Sequence, residues 1–181
     1  MNPLLDNTTL FSLMRTLQNA RKIVIMGHRG PDGDALGAAL GWAEYLQGLG
    51  KSAIIVMPNP FPDFLRWLPN SEKVVFYDHK RDVARHLIEG TDLICMLDFN
   101  SLHRLQEMGD VVANSKAERL MIDHHLSPDT TCAQTIISHP EMSSTSELVF
   151  RLIYQLGGYE TMTTQGASAL YCGMMTDTGG F

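Results

Sequence analysis

Ile23-Val24-Ile25-Met26 runs straight into Gly27-His28-Arg29-Gly30-Pro31-Asp32-Gly33-Asp34-Ala35-Leu36-Gly37. The first four residues are a continuous apolar run stopped by glycine, which predicts a short strand buried on both faces. The glycines and the proline that follow fix a tight loop. Ala35 to Leu49 then reads as a helix, with Gly50 as its C-terminal stop. Strand, tight loop and helix in that order are the opening of a βαβ unit, and the same order recurs along the chain.

Upstream, Thr8 or Thr9 caps a helix running to about Ala20, with Leu10, Leu13, Met14 and Leu17 on one face. Downstream, a second buried strand covers Ala53 to Met57 and is broken by Pro58, Pro60 and Pro62. A helical turn around Phe64 to Leu68 precedes a third strand, Val74 to Phe76, and a helix from Arg81 to Glu89. Leu93 to Leu97 is a fourth strand, Leu102 to Met108 a helix, and Arg119 to Ile122 a fifth strand. A weaker strand falls between Cys132 and Ile137. Ser144-Thr145-Ser146-Glu147 has the form of a capping box ahead of Leu148, Val149, Leu152 and Ile153, and a last helix spans Thr164 to Met175. The expected fold is α/β and doubly wound, a mainly parallel five-stranded sheet with helices on both faces.

Composition narrows the chemistry. The 181 residues carry 14 Lys+Arg against 20 Asp+Glu, a net charge of −6, which argues against salt-driven binding to long nucleic acid. Cys95, Cys132 and Cys172 are scattered and odd in number, so neither a disulfide framework nor a cysteine zinc site is expected. The N-terminus has no basic segment before an apolar run, and no apolar stretch is long enough to span a bilayer. A cytoplasmic protein is the expectation.

Ligands of doubly wound sheets bind beyond the carboxyl ends of the strands. Acids and histidines gather there. His28, Asp32 and Asp34 follow the first strand, Asp98 closes the fourth, and Asp123-His124-His125 closes the fifth. Asp177 follows the last helix. An isolated Asp-Gly-Asp would be read as turn and cap residues. So many acids on one sheet edge repel each other unless a counter-charge sits among them. Mixed carboxylate and imidazole donors suit Mn²⁺ or a similar divalent ion, and shared carboxylates suit two ions acting on phosphoryl groups. His79, His86, His103 and His139 lack partners at ligand spacing and read as surface or satisfied histidines, while Trp42 and Trp67 read as packing residues. Gly50-Lys51-Ser52 lacks the earlier glycine and the following helix of a P-loop.

His28-x-x-Pro31-Asp32-x-Asp34-Ala35-x-Gly37, Asp98, Asp123-His124-His125 and Thr176-Asp177-Thr178-Gly179 together resemble the four motifs of the DHH phosphoesterase family, in order and over nearly the whole chain. The Pro-Asp-Gly-Asp form of the first motif is similar to the nanoRNase and pAp-phosphatase branch. The resemblance implies that His28 and Asp32 hold a first metal, that Asp34, His124 and Asp177 hold a second, and that Asp98 bridges both. It implies that Asp123 orients a histidine and that His125 contacts the substrate phosphate. Asp98, Asp123 and His125 are then the expected catalytic group. Arg104, shortly after Asp98, is a further candidate for binding substrate phosphate. Ala38 stands where many members carry Ser.

The implied activity is Mn²⁺-dependent hydrolysis of short oligoribonucleotides or 3′-phosphoadenosine 5′-phosphate, with two ions and with Mg²⁺ or Co²⁺ as substitutes. A cyclic-dinucleotide phosphodiesterase, a pyrophosphatase or exopolyphosphatase, and a non-catalytic metal-binding module are the alternatives. The expected partner is a short oligonucleotide or nucleotide phosphate, with no membrane and no long duplex, and a homodimer is left open. The resemblance places Ser144 to Glu147 near the site. It also implies a second, substrate-gripping domain with a Gly-Gly-Gly-His-type motif. Residues 1–181 would then be the catalytic domain, with that second domain absent or truncated.

Overall fold

The computed structural model describes residues 2–180. Helix α1 (Asn7–Asn19) leads into β1 (Lys22–Met26), α2 (Gly33–Gly48), β2 (Ser52–Met57), β3 (Val75–Phe76) and α3 (Arg81–Glu89). Then follow β4 (Leu93–Leu97), α4 (Glu107–Asn114), β5 (Glu118–Asp123), β6 (Thr135–Ser138), α5 (Thr145–Gln155) and α6 (Thr164–Asp177). The strands form one sheet in the order β3-β2-β1-β4-β5-β6, every neighbouring pair parallel. The class is α/β and doubly wound, with six strands where the sequence reading expected five. The weaker strand is real, and it pairs Ile136 and Ile137 with Met121 and Ile122.

Each central strand feeds two cores, as a continuous apolar run requires. Ile23, Ile25, Leu93, Cys95, Leu97, Leu120 and Ile122 pack with α1, α2, α5 and α6. Val24, Met26, Ile94, Met96 and Met121 point the other way and pack with α3 and α4. Trp42 is fully buried in the first core, its Nε1–H donating to Cys95 Sγ at 3.4 Å. Trp67 is 61% exposed and is not a packing residue, against the sequence reading.

The strand order reverses between β1 and β4. The chain leaves β1 outward to β2 and β3 and returns to β4 on β1's other side. Doubly wound folds place their ligand crevice at such a switch point. Helix α2 starts there because the Asp32 carboxylate accepts the Asp34 and Ala35 N–H groups as an N-cap. Two boundaries move relative to expectation. Asp34 lies in the first turn of α2, and Asp177 is the last residue of α6, not a loop residue beyond it. The expected helix from Leu102 to Met108 is a 3₁₀ turn over Leu102–Leu105, a left-handed Gln106 with φ 51°, and the separate α4. The first helix is capped by Asp6, upstream of the expected threonines.

Helices α2 and α6 cross closely because one side of α2 lacks side chains. A methyl on Gly33 would strike Thr176, one on Gly37 the Ala169 carbonyl, and one on Gly41 the Leu170 side chain. This close approach carries the end of α6, with Asp177, to the start of α2.

Candidate metal centre

Strand ends and helix starts supply the side chains. His28 follows β1, with its Nδ1 2.9 Å from the Arg29 carbonyl. His124 follows β5, with its Nδ1 3.2 Å from the Met142 carbonyl. A carbonyl only accepts, so both Nδ1 atoms carry the proton and both Nε2 atoms face the carboxylates. Metal-bound histidines are held the same way, by a backbone or carboxylate acceptor on the far nitrogen.

His28 Nε2 stands 3.7 Å from Asp32 Oδ2 and 3.5 Å from Asp98 Oδ2. His124 Nε2 stands 3.4 Å from Asp177 Oδ2, 3.7 Å from Asp98 Oδ1 and 3.9 Å from Asp34 Oδ2. Most of these spacings are too long for good hydrogen bonds. They fit donors around one cation, because two ligands each about 2.1 Å from an ion lie roughly 3–4 Å apart. Three trios have donor atoms within 4.8 Å of one another: His28, Asp32 and Asp98; Asp34, His124 and Asp177; Asp98, His124 and His125. Asp98 thus turns one oxygen to each side. Its backbone sits in the left-handed region, φ 64°, which aspartate tolerates better than most residues.

The acids crowd one another. Burial, then the Asp98 charge, push the Asp34 carboxyl up to about 8. Burial would lower the His28 imidazolium, yet Asp32 and Asp98 push it up to about 10. Burial also raises Asp177. Crowded acids of this kind favour a positive charge among them, and carboxylates mixed with imidazoles suit a divalent ion.

Asp123 is buried beneath the cluster. Its Oδ1 accepts His125 Nδ1–H at 2.7 Å and its Oδ2 accepts the His125 N–H at 3.1 Å. That bond raises the His125 imidazolium and leaves its Nε2 uncommitted. Arg104 belongs to none of the trios. It lines a cavity of about 730 Å³ with Arg29, Gly30, Asn59, His103, Gln106 and Asp110. The Arg29 N–H donates to the Arg104 carbonyl at 2.9 Å, which joins that cavity to the His28 loop. Arg29 is paired with Asp78 at 2.7 Å. His139, read as a surface or satisfied histidine, bonds Glu141 at 2.7 Å.

Two residues of the site had no assigned role in the sequence. Thr145 and Ser146 are completely buried and bond Asp34 and Asp98. The capping reading covers Ser144, whose Oγ accepts the Glu147 N–H at 3.0 Å. Glu147 reaches back to Ser143, one residue short of the expected reciprocal bond. The signal in the sequence was a pair of hydroxyl residues on a helix turn that the apolar pattern buries.

The family described as "DHH family, N-terminal domain" matches residues 22–174. The chain is 31% identical over 159 residues to the bifunctional oligoribonuclease and PAP phosphatase NrnA of Thermus thermophilus, covering 88% of this chain and 44% of that protein. It is 28% identical over 178 residues to the cyclic-di-AMP phosphodiesterase GdpP of Geobacillus thermodenitrificans, covering 94% and 27%. The crystal structure of an exopolyphosphatase-related protein from Bacteroides fragilis superposes with a TM-score of 0.97 at 45% identity, over all of this chain and 53% of that one. The chain spans less than half the length of the first two and about half of the third.

Proposed function

The chain belongs to the DHH family, and from that premise we propose that it is the catalytic part of a metal-dependent phosphoesterase. The proposed substrates are short oligoribonucleotides and 3′-phosphoadenosine 5′-phosphate. The observation that carries this reading is Asp98 at the sheet's switch point, whose Oδ2 faces His28 of one donor trio at 3.5 Å and whose Oδ1 faces His124 of the other at 3.7 Å. His28 and Asp32 would hold one divalent ion with Asp98. Asp34, His124 and Asp177 would hold the other. Mn²⁺ suits this mixture of oxygen and imidazole donors. Two such ions, when bound, supply Lewis acidity for in-line displacement at phosphorus.

The protein's own groups do the rest. His125, held by Asp123 and favoured in its charged form, would present Nε2 to a phosphoryl oxygen and offset the charge that builds there. The cavity next to the His28 loop, about 730 Å³ and lined by Arg29 and Arg104, has room for a nucleoside. Arg104 on its wall is the proposed phosphate anchor. The buried donors lie behind these groups and hold the acids in place.

The test is hydrolysis of pApA, 3′-phosphoadenosine 5′-phosphate, cyclic di-AMP and pyrophosphate, side by side with Mn²⁺. Turnover of either of the first two supports the proposal. Turnover of pyrophosphate alone, or of nothing, overturns it.

A further inference from the structure

The start of α5 is built around the metal-centre acids. Thr145 N–H donates to Asp34 Oδ2 at 2.7 Å and Ser146 N–H donates to Asp34 Oδ1 at 2.8 Å. Both oxygens of one carboxylate therefore rest on the first N–H groups of a helix, where anions are favoured. Thr145 does more than this. Its Oγ1–H donates to Asp98 Oδ1 at 2.9 Å, so one residue bonds both acids. Thr145, Ser146 and the cap Ser144 have no exposure at all, so no water competes for these bonds.

A carboxylate on a single bond can rotate. What Asp98 must do in the proposed site is keep Oδ2 toward His28, at 3.5 Å, and Oδ1 toward His124, at 3.7 Å. Its neighbours there are imidazole nitrogens at distances too long to fix an angle. Among the described residues, the short side-chain hydrogen bond to the Asp98 carboxylate comes from Thr145. We infer that the Thr145 hydroxyl is a positioning residue, which sets the rotation of the Asp98 carboxylate so that it can serve two ions at once. This inference rests on the two-ion reading of the site. The backbone N–H of Thr145 serves Asp34 whatever the side chain is, so substitution separates the two roles.

The experiment compares wild type, Thr145→Val and Thr145→Ser for Mn²⁺ binding by calorimetry and for the electron paramagnetic resonance of the loaded protein. Loss of a bond that orients a metal ligand costs about 10–100-fold in metal affinity. Thr145→Val should weaken the second Mn²⁺ by that factor and lose the spin-coupled signal of a close ion pair. Thr145→Ser, which keeps the hydroxyl, should restore both. Thermal midpoints measured in EDTA show whether any loss is one of folding. Should Thr145→Val not fold, Thr145→Ala removes the same bond without adding an apolar branch. A Val or Ala variant that binds two ions as tightly as wild type with an unchanged coupled spectrum overturns the inference and leaves the two-ion reading intact. So does a Ser variant as weak as Val, which would assign the effect to packing of the methyl group. A wild type that binds fewer than two ions refutes the two-ion reading itself.

Discussion

Gly37→Ala tests whether the close crossing of α2 and α6 builds the metal centre. In the interior of an exposed helix this change gains up to about 1 kcal/mol. Here the new methyl would press on the Ala169 carbonyl oxygen and stand 3.0 Å from Gly173 N and 3.2 Å from Gly173 Cα. Carbon contacts are favourable near 3.5–4.0 Å, so α6 must withdraw by roughly 1 Å. All three obstacles are backbone atoms, which cannot rotate aside. Overpacking of this kind costs about 1–3 kcal/mol, and we expect a net loss of about 1–2 kcal/mol after the propensity gain. In a chain of this length that lowers the thermal midpoint by roughly 2–8 °C. The withdrawal also takes Asp177 away from His124, which it now faces at 3.4 Å, and weakens Mn²⁺ binding. Gly48→Ala is the control in the same helix. No atom lies within 4 Å of its added methyl, and it should gain a few tenths of a kcal/mol. Guanidinium denaturation and Mn²⁺ titration of both variants decide the matter. If Gly37→Ala were as stable as Gly48→Ala and bound Mn²⁺ like wild type, the reasoning would be wrong.

Three further outcomes are expected. Asp98→Asn should abolish Mn²⁺-dependent hydrolysis and lower the melting midpoint in EDTA at pH 7, because the buried carboxylate that faces the charged His28 imidazolium is gone. A midpoint in scanning calorimetry that held or rose would contradict the electrostatic account. In the metal-free protein, the groups raised to about 10 on His28 and about 8 on Asp34 both hold protons at pH 7. Mn²⁺ must displace those protons, so affinity should fall as pH falls. Calorimetry at pH 7 in buffers of different ionisation heat should find about two protons released on loading, and no release would refute the assignment. Arg104→Ala should raise KM for nucleotide substrates about 10-fold or more, the worth of a charged hydrogen bond, with Mn²⁺ affinity unchanged. An unchanged KM would remove Arg104 from the phosphate site.

Some elements were readable because they depend on local pattern alone. The limits of α3 and β4 fall where the apolar spacing put them. The acids at strand ends could be listed because a parallel sheet collects them on one edge. Contacts across long sequence distances were not readable. Thr145 meets Asp34 across 111 positions, and nothing local distinguishes it from an ordinary helix cap. Gln106 breaks an apparently continuous helical stretch by taking a left-handed conformation that its residue type rarely requires. The sixth strand is short and edge-placed, with one buried residue, so its hydrophobic signal is weak. Trp67 shows the opposite failure, since a large apolar side chain does not by itself say which way it faces.

The six proposed donors lie between positions 28 and 177, just past β1, β4 and β5, at the start of α2 and at the end of α6. Three of them fall within residues 28–34, and the other three come from far along the chain. A divalent ion can therefore recognise only the finished topology, and its binding free energy is added to the stability of the whole domain. Under the proposed function, metal supply would set the lifetime of the protein as well as its chemistry. The loaded form should resist proteolysis that proceeds through opening of the α2–α6 crossing, because that opening also releases the cations. A cell short of the metal would lose the protein along with its activity.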